Sequence, residues 1–162
     1  MLESLLALAI ILAPAFADPR QQLEAHARVA VERLCPCRGD VACPRDHRRI
    51  AHAISLVAET EADAVALIGL CAHESGCRDV DQMGGTRRAY GPWQIETSRT
   101  QRAAWRDDLP AQARWALRAW RAGATTYACG QRAEQATAAC ERAAGELRRY
   151  VTRAWWAWSA AR

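Results

Sequence analysis

The stretch Asp63–Cys77, DAVALIGLCAHESGC, decides how the chain folds. Its first ten residues are apolar on nearly every face, which suits a helix buried on all sides. Thr60 precedes it as an N-cap, and Glu61 and Asp63 put acids in its first turn, where the helix dipole favours them. The helix is expected to end near Ser75, before Gly76, so it carries one carboxylate, Glu74, into its last turn. Unsatisfied carbonyls there present the negative end of the dipole, and the neighbours are apolar. Glu74 is therefore a candidate general acid. A plain helix-end glutamate facing water is the alternative.

Outward from this helix the patterns remain helical. Residues 21–34 bring Leu23, Ala27, Ala30, Val31 and Leu34 near helical spacing, and residues 46–58 put Ile50, Ile54 and Val57 on one side. Between them CPCRGDVACPRD (residues 35–46) has two prolines, a glycine and three cysteines, and reads as a stapled loop. Residues 76–92, GCRDVDQMGGTRRAYGP, contain four glycines and a proline and read as a long irregular loop or short hairpin, a length that often carries function. Helices are expected again at 93–106, 110–127, 131–144 and 146–159. The fold class is mainly α, with a small irregular loop or hairpin lobe. Residues 18–45 form an N-terminal helix and Cys-rich loop, and residues 46–162 form the main globular domain.

The first residues, MLESLLALAIILAPAFADPR, read as a secretory signal ending at Ala17. Leu5–Leu12 is too short to span a bilayer, and Ala15-Phe16-Ala17 has the small-residue pattern of a cleavage site. Glu3, with no Lys or Arg beside it, keeps an uncleaved anchor or a buried first helix open. The expected location is periplasmic or extracellular, with no stable membrane span after removal of the signal. Seven cysteines (35, 37, 43, 71, 77, 129 and 140) then read as a disulfide framework. Either Cys35 or Cys37 can reach Cys43, Cys71 can reach Cys77, and Cys129 can reach Cys140, which leaves one thiol over. Cys35, Cys37, Cys43 and His47 have zinc-ligand chemistry, but their spacing is not a common zinc pattern and an oxidising compartment disfavours thiolates, so no metal is expected. No cofactor is expected either.

All 22 basic residues are Arg, and the formal charge is +4, rising to +5 once Glu3 leaves with the signal. That balance suits a polyanion such as nucleic acid or the carboxylate-bearing bacterial wall. The arginines are scattered, with no long basic block, so most read as solvated surface and nucleic acid is not an expected partner. In the tail AWWAWSAAR, Trp155, Trp156 and Trp158 cannot share one narrow helix face. At least one is expected to be buried.

At residues 89–95 the chain reads AYGPWQI. A Glu-Ser-Gly at a helix end, followed across a glycine-rich loop by Gly-x-x-Gln-Ile, resembles the soluble lytic transglycosylase family of the lysozyme-like superfamily. Glu74-Ser75 resembles its catalytic motif. Gly91-Pro92-Trp93-Gln94-Ile95 resembles its second motif, Gly-Leu-Met-Gln-Ile, with Pro-Trp replacing Leu-Met. The resemblance covers about residues 46–130. Its third motif, Ala-Tyr-Asn-Ala-Gly, has its nearest match in Thr126-Tyr127-Ala128-Cys129-Gly130, without the asparagine, a residue this chain lacks altogether.

The resemblance implies a lysozyme-like fold and an enzyme that cuts peptidoglycan glycan strands, and the chain is expected to be a monomer. Glu74 would protonate the bond between N-acetylmuramic acid and N-acetylglucosamine, the substrate's N-acetyl group would stabilise the cation, and Glu74 would then deprotonate the C6 hydroxyl to close a 1,6-anhydro ring. This differs from two-carboxylate glycoside hydrolysis. Gly91 and Gln94 would shape the cleft floor and bind sugar groups, and Ser75 would bind the sugar or cap the helix end. Tyr90 and Trp93 offer stacking faces, with one of the pair expected in the core, and Tyr127 and Tyr150 are further cleft candidates or core tyrosines. Asp79, Asp81 or Glu96 as a second carboxylate would make the enzyme a hydrolase. A non-catalytic wall-binding module is the other alternative, and a secreted disulfide-rich interaction domain a third. His73 is not expected to pair with Glu74, because adjacent helix positions point about 100° apart.

Overall fold

The computed structural model describes residues 18–84, 87–96, 105–130 and 132–162. The segment read as an export signal and residues 97–104 of an expected helix lie outside the described residues. Thr60 and Asp63 close a capping box on α3 (Glu61–Ser75). The Asp63 N–H donates to Thr60 Oγ1 (3.1 Å), and the Asp63 carboxylate accepts from the N–H groups of Thr60 (3.1 Å) and Glu59 (3.2 Å). From Asp63 to Ala72 every residue is buried, as the unbroken apolar pattern requires. At the far end Gly76 turns left-handed (φ 64°), the Cys77 N–H returns to the Cys71 carbonyl (2.9 Å), and the helix stops.

Around α3 stand α1 (Pro19–Leu34), α2 (Cys43–Val57), α4 (Leu109–Arg121), the short α5 (Ala124–Cys129) and α6 (Ala138–Ser159). α3 packs most extensively on α6 and also touches α1, α2 and α4. A glycine in the middle of α3 weakens a helix, yet here it is required. A Cβ on Gly69 would lie 2.5 Å from Val151 Cα, so the missing side chain lets α6 lie directly against α3.

The loop lobe holds a three-stranded antiparallel sheet in the order β1 (Asp81–Gly84), β2 (Arg87–Tyr90), β3 (Ile95–Glu96), with Asp81 opposite Tyr90 and Tyr90 opposite Ile95. The helix expected over 93–106 is corrected at its start. Gly91 (φ 72°) and Gln94 (φ 45°) both take left-handed backbone, so the chain doubles back and Ile95–Glu96 pairs as a strand. Two other boundaries differ. Gly123 (φ 129°) splits the helix expected over 110–127 into α4 and α5. The helices expected over 131–144 and 146–159 are one helix, α6. It starts where Thr137 Oγ1 accepts from the Cys140 N–H (3.3 Å), and it runs through Gly145. A lone glycine costs a helix about 1 kcal/mol, too little to break one of this length.

The cysteines pair as 37–43, 71–77 and 129–140, which leaves Cys35 as the free thiol. Burial pushes the Cys35 thiol up to about 11, with Arg153 pulling weakly the other way, so it stays protonated at neutral pH. His47 is wholly buried, its Nε2 3.3 Å from Cys43 Sγ and its Nδ1 3.7 Å from Cys37 Sγ. Those two sulfurs are bonded to each other and offer no thiolate. Trp158 is buried with its ring near His26 (5.8 Å), while Trp155 and Trp156 are exposed. Among the described residues no helix is long and apolar enough to cross a membrane.

Candidate active site

Glu74 sits in the last turn of α3 with its side chain 24% exposed, neither sealed in the core nor free in water. Its Oε1 lies 3.1 Å from His73 Nδ1. The expectation that these neighbours diverge is therefore corrected. Their Cβ atoms point apart, but the three side-chain torsions of a glutamate let its carboxylate curl back to the ring. His73 Nε2 faces Glu146 Oε2 on α6 at 3.8 Å, and the ring meets Tyr150 edge-on at 5.2 Å. The hydrogen bond to Glu74 raises the His73 pKa above its usual 6.5. Burial opposes the rise, and the charges of Glu74 and Glu146 add to it. Glu74 thus has a second proton-carrying group within hydrogen-bond reach.

The loop carrying Gly91 to Gln94 is tied to this helix end. Ser75 Oγ donates to the Pro92 carbonyl (2.8 Å) and accepts from the Arg78 N–H (3.0 Å), so Ser75 is a clasp between α3 and the loop. Gln94 donates from Nε2 to the Val80 (2.9 Å) and Gly91 (2.8 Å) carbonyls, which holds its left-handed backbone and commits its amide hydrogens to the loop. Gly91 is irreplaceable for two reasons. Its φ is positive, and a Cβ there would lie 1.9 Å from Oε1 of the buried Gln112. Gln112 in turn donates to the Trp105 (2.8 Å) and Arg106 (3.1 Å) carbonyls.

Tyr90 and Trp93 are fully buried, and Trp93 Nε1 donates to the Leu67 carbonyl of α3 (3.0 Å). Neither presents an open face for stacking. Both anchor the loop from inside, Tyr90 from the end of β2 and Trp93 from the turn that follows and is tied to α3. Tyr127 Oη donates to the Trp93 carbonyl (2.9 Å), which adds α5 to the same junction. Burial pushes the Tyr127 pKa well above its usual value, and the charge of Glu74 pushes it further, so the phenol keeps its proton and lies within electrostatic reach of the acid.

Two of the candidate second carboxylates are held by arginines. Asp79 is nearly buried and held by Arg49 (2.7 Å) and Arg106 (2.8 Å). Asp81 is bound by the same Arg106 (2.9 Å). Glu96 is exposed on β3, its Cα opposite Ala89. A cavity of about 860 Å³ lies at the opposite end of α3 between Leu23, Leu56, Thr60 and Arg118, and none of these candidate residues lines it.

Three contributors escape the sequence reading: His73 as a partner of Glu74, Gln112 behind Gly91, and Arg106 between the two aspartates. Only His73 left a signal, its position beside the acid. The assembled site offers one half-buried carboxylate with an imidazole 3.1 Å away, set against a loop of unusual backbone. That equipment suits proton transfer to and from a substrate oxygen. No family model, no curated protein and no solved structure matches this chain.

Proposed function

We propose that the chain is an exported, lysozyme-like lytic transglycosylase of peptidoglycan, with Glu74 as its general acid and base. The observation that carries this reading is the junction itself. The Glu74-Ser75 and Gly91–Ile95 segments, twenty residues apart at Glu74 and Gln94, are clasped by the Ser75–Pro92 hydrogen bond, and Tyr127 joins them through Trp93. Three stretches that resemble one family's motifs therefore meet at one helix end. Disulfides and the absence of a membrane-crossing helix among the described residues are compatible with export.

In this mechanism Glu74 delivers its proton to the glycosidic oxygen as the bond to C1 of N-acetylmuramic acid breaks. The substrate's N-acetyl oxygen shields the resulting cation. The Glu74 carboxylate then takes the proton of the C6 hydroxyl while that oxygen bonds to C1, which restores the acid and leaves a 1,6-anhydro sugar. His73 can hold or return a proton to Glu74 between these steps. The engagement of Asp79 and Asp81 by Arg106 favours this one-carboxylate route over a hydrolase, which needs a second carboxylate to direct water.

The test is digestion of purified wall sacculi by wild type and by Glu74→Gln. Loss of all soluble product in the variant, with sacculus binding retained, is the expected result. Product release that survives the substitution rules out Glu74 as the catalyst.

A further inference from the structure

A second, smaller cleft of about 380 Å³ opens beside the helix end that carries Glu74. The loop after α1 supplies Cys35 and Arg38, α3 and its C-cap supply Ala72 and Gly76, and α6 supplies Tyr150 and Arg153. The acids nearby are spent: Asp40 is bound by Arg78 (2.6 Å), which also reaches Asp46 (3.3 Å). Arg38 and Arg153, by contrast, have no carboxylate partner among the described residues. Arg153 lies over the Tyr150 ring, 5.0 Å from its centroid, and both residues line the cleft. The cleft thus sets two arginines without carboxylate partners beside an aromatic ring.

Its position relates it to Glu74. Ala72 and Gly76 lie one helical turn apart on the cleft face, and Glu74, between them in sequence, points to the other side of α3. One helix width, about 10 Å with side chains, therefore separates the two. The path round the helix is about half its circumference, roughly 16 Å, which an extended peptide covers in about five residues at ~3.4 Å each. Tyr150 bridges the gap physically, since it lines the cleft and also packs on His73, the partner of Glu74.

We propose that this cleft is a subsite for the carboxylate-bearing peptide stem carried by the muramic acid residues of the glycan strand, with Arg38 and Arg153 receiving its carboxylates. The inference rests on the wall-cleaving reading of Glu74 and narrows the substrate from glycan in general to strands that keep their peptides.

The test compares glycan strands with intact stems and strands stripped by an amidase. Partly exposed Arg–carboxylate contacts are modest, so wild type should show a kcat/KM about three- to tenfold higher on stem-bearing strands. The Arg38→Gln/Arg153→Gln variant should bring that ratio to about one through KM, and Arg153→Lys should keep most of it. A wild-type ratio of one, or a preference that survives in the double variant, overturns the subsite while leaving the enzyme reading intact. Co-sedimentation with intact and stripped sacculi runs beside the kinetics. If wild type cleaves neither substrate the enzyme reading fails, and the subsite then stands only if the double variant loses a wild-type preference for intact sacculi in binding.

Discussion

The two ends of α3 each carry an acid, and the two acids are treated in opposite ways. Asp63 at the N-terminus is buried, accepts from two backbone N–H groups, and is gripped by Arg121 through Nε (3.2 Å) and Nη2 (2.8 Å). Every part of that carboxylate is consumed in holding the helix start. Glu74 at the C-terminus keeps partial access to solvent and has one close partner, a histidine that can itself gain or lose a proton. The contrast separates a carboxylate used for stability from one left available for chemistry. Asp79, paired with two arginines, belongs with Asp63.

The sharpest way to break this contrast is to remove each acid in turn. Glu74→Gln should lower wall-cleaving activity by about 10²- to 10⁴-fold, the usual share of a general acid–base group. Its stability in urea should stay within about 0.5 kcal/mol of wild type, since no buried network depends on it. Gly91→Ala comes next. The new Cβ meets Gln112 and the backbone is left-handed, so a loss of about 2–4 kcal/mol in urea unfolding is expected, with activity falling as the loop shifts. Asp63→Ala should cost about 2 kcal/mol of stability, from the lost cap and the unpaired Arg121, while the specific activity of the folded fraction changes little. Should Asp63→Ala prove neutral in urea, the division of labour along α3 fails.

The smallest effect is in pH, and its sign differs between the two ends. Burial raises the Asp63 pKa, but the hydrogen bonds from Arg121 and with Thr60 outweigh it and leave the value below 3.8. Its contribution is therefore present above pH 3.8 and is lost as pH falls through the depressed folded value. His73 has a folded pKa above 6.5, so its contribution is complete below pH 6.5 and is lost as pH rises through the raised value. Subtracting the urea stability of Asp63→Ala or His73→Ala from wild type across pH should show these two opposed slopes. A His73 difference that grows with rising pH contradicts the Glu74–His73 contact.

Much of this was readable in the chain. The run Asp63–Ala72 announces a helix buried on all sides, and Thr60, Asp63 and Gly76 mark its ends, because caps and apolar patterning act locally. The cysteine spacing allowed the 71–77 and 129–140 pairs that form and left Cys35 and Cys37 as rivals for Cys43, which pairs with Cys37. The turn at Trp93–Gln94 was not legible, since residues 93–106 suit a helix and only the left-handed backbone at Gly91 and Gln94 overrides that preference. The sequence reading put one of Tyr90 and Trp93 in the core and both are buried, because an aromatic beside a glycine can face either way until the neighbouring helix is in place. Gln112 and Arg106 reach the site only through tertiary contact, and no local pattern points to them.

The central claim is that Glu74 works without a second carboxylate, and the mass of the product tests it most directly. A ring closed by the C6 hydroxyl leaves a muropeptide lighter by one water than the product of hydrolysis. Mass spectrometry of a wild-type sacculus digest should find the anhydro form as the dominant terminus. A digest whose termini all carry the added water contradicts the claim and requires a water-directing carboxylate, with exposed Glu96 the first to test.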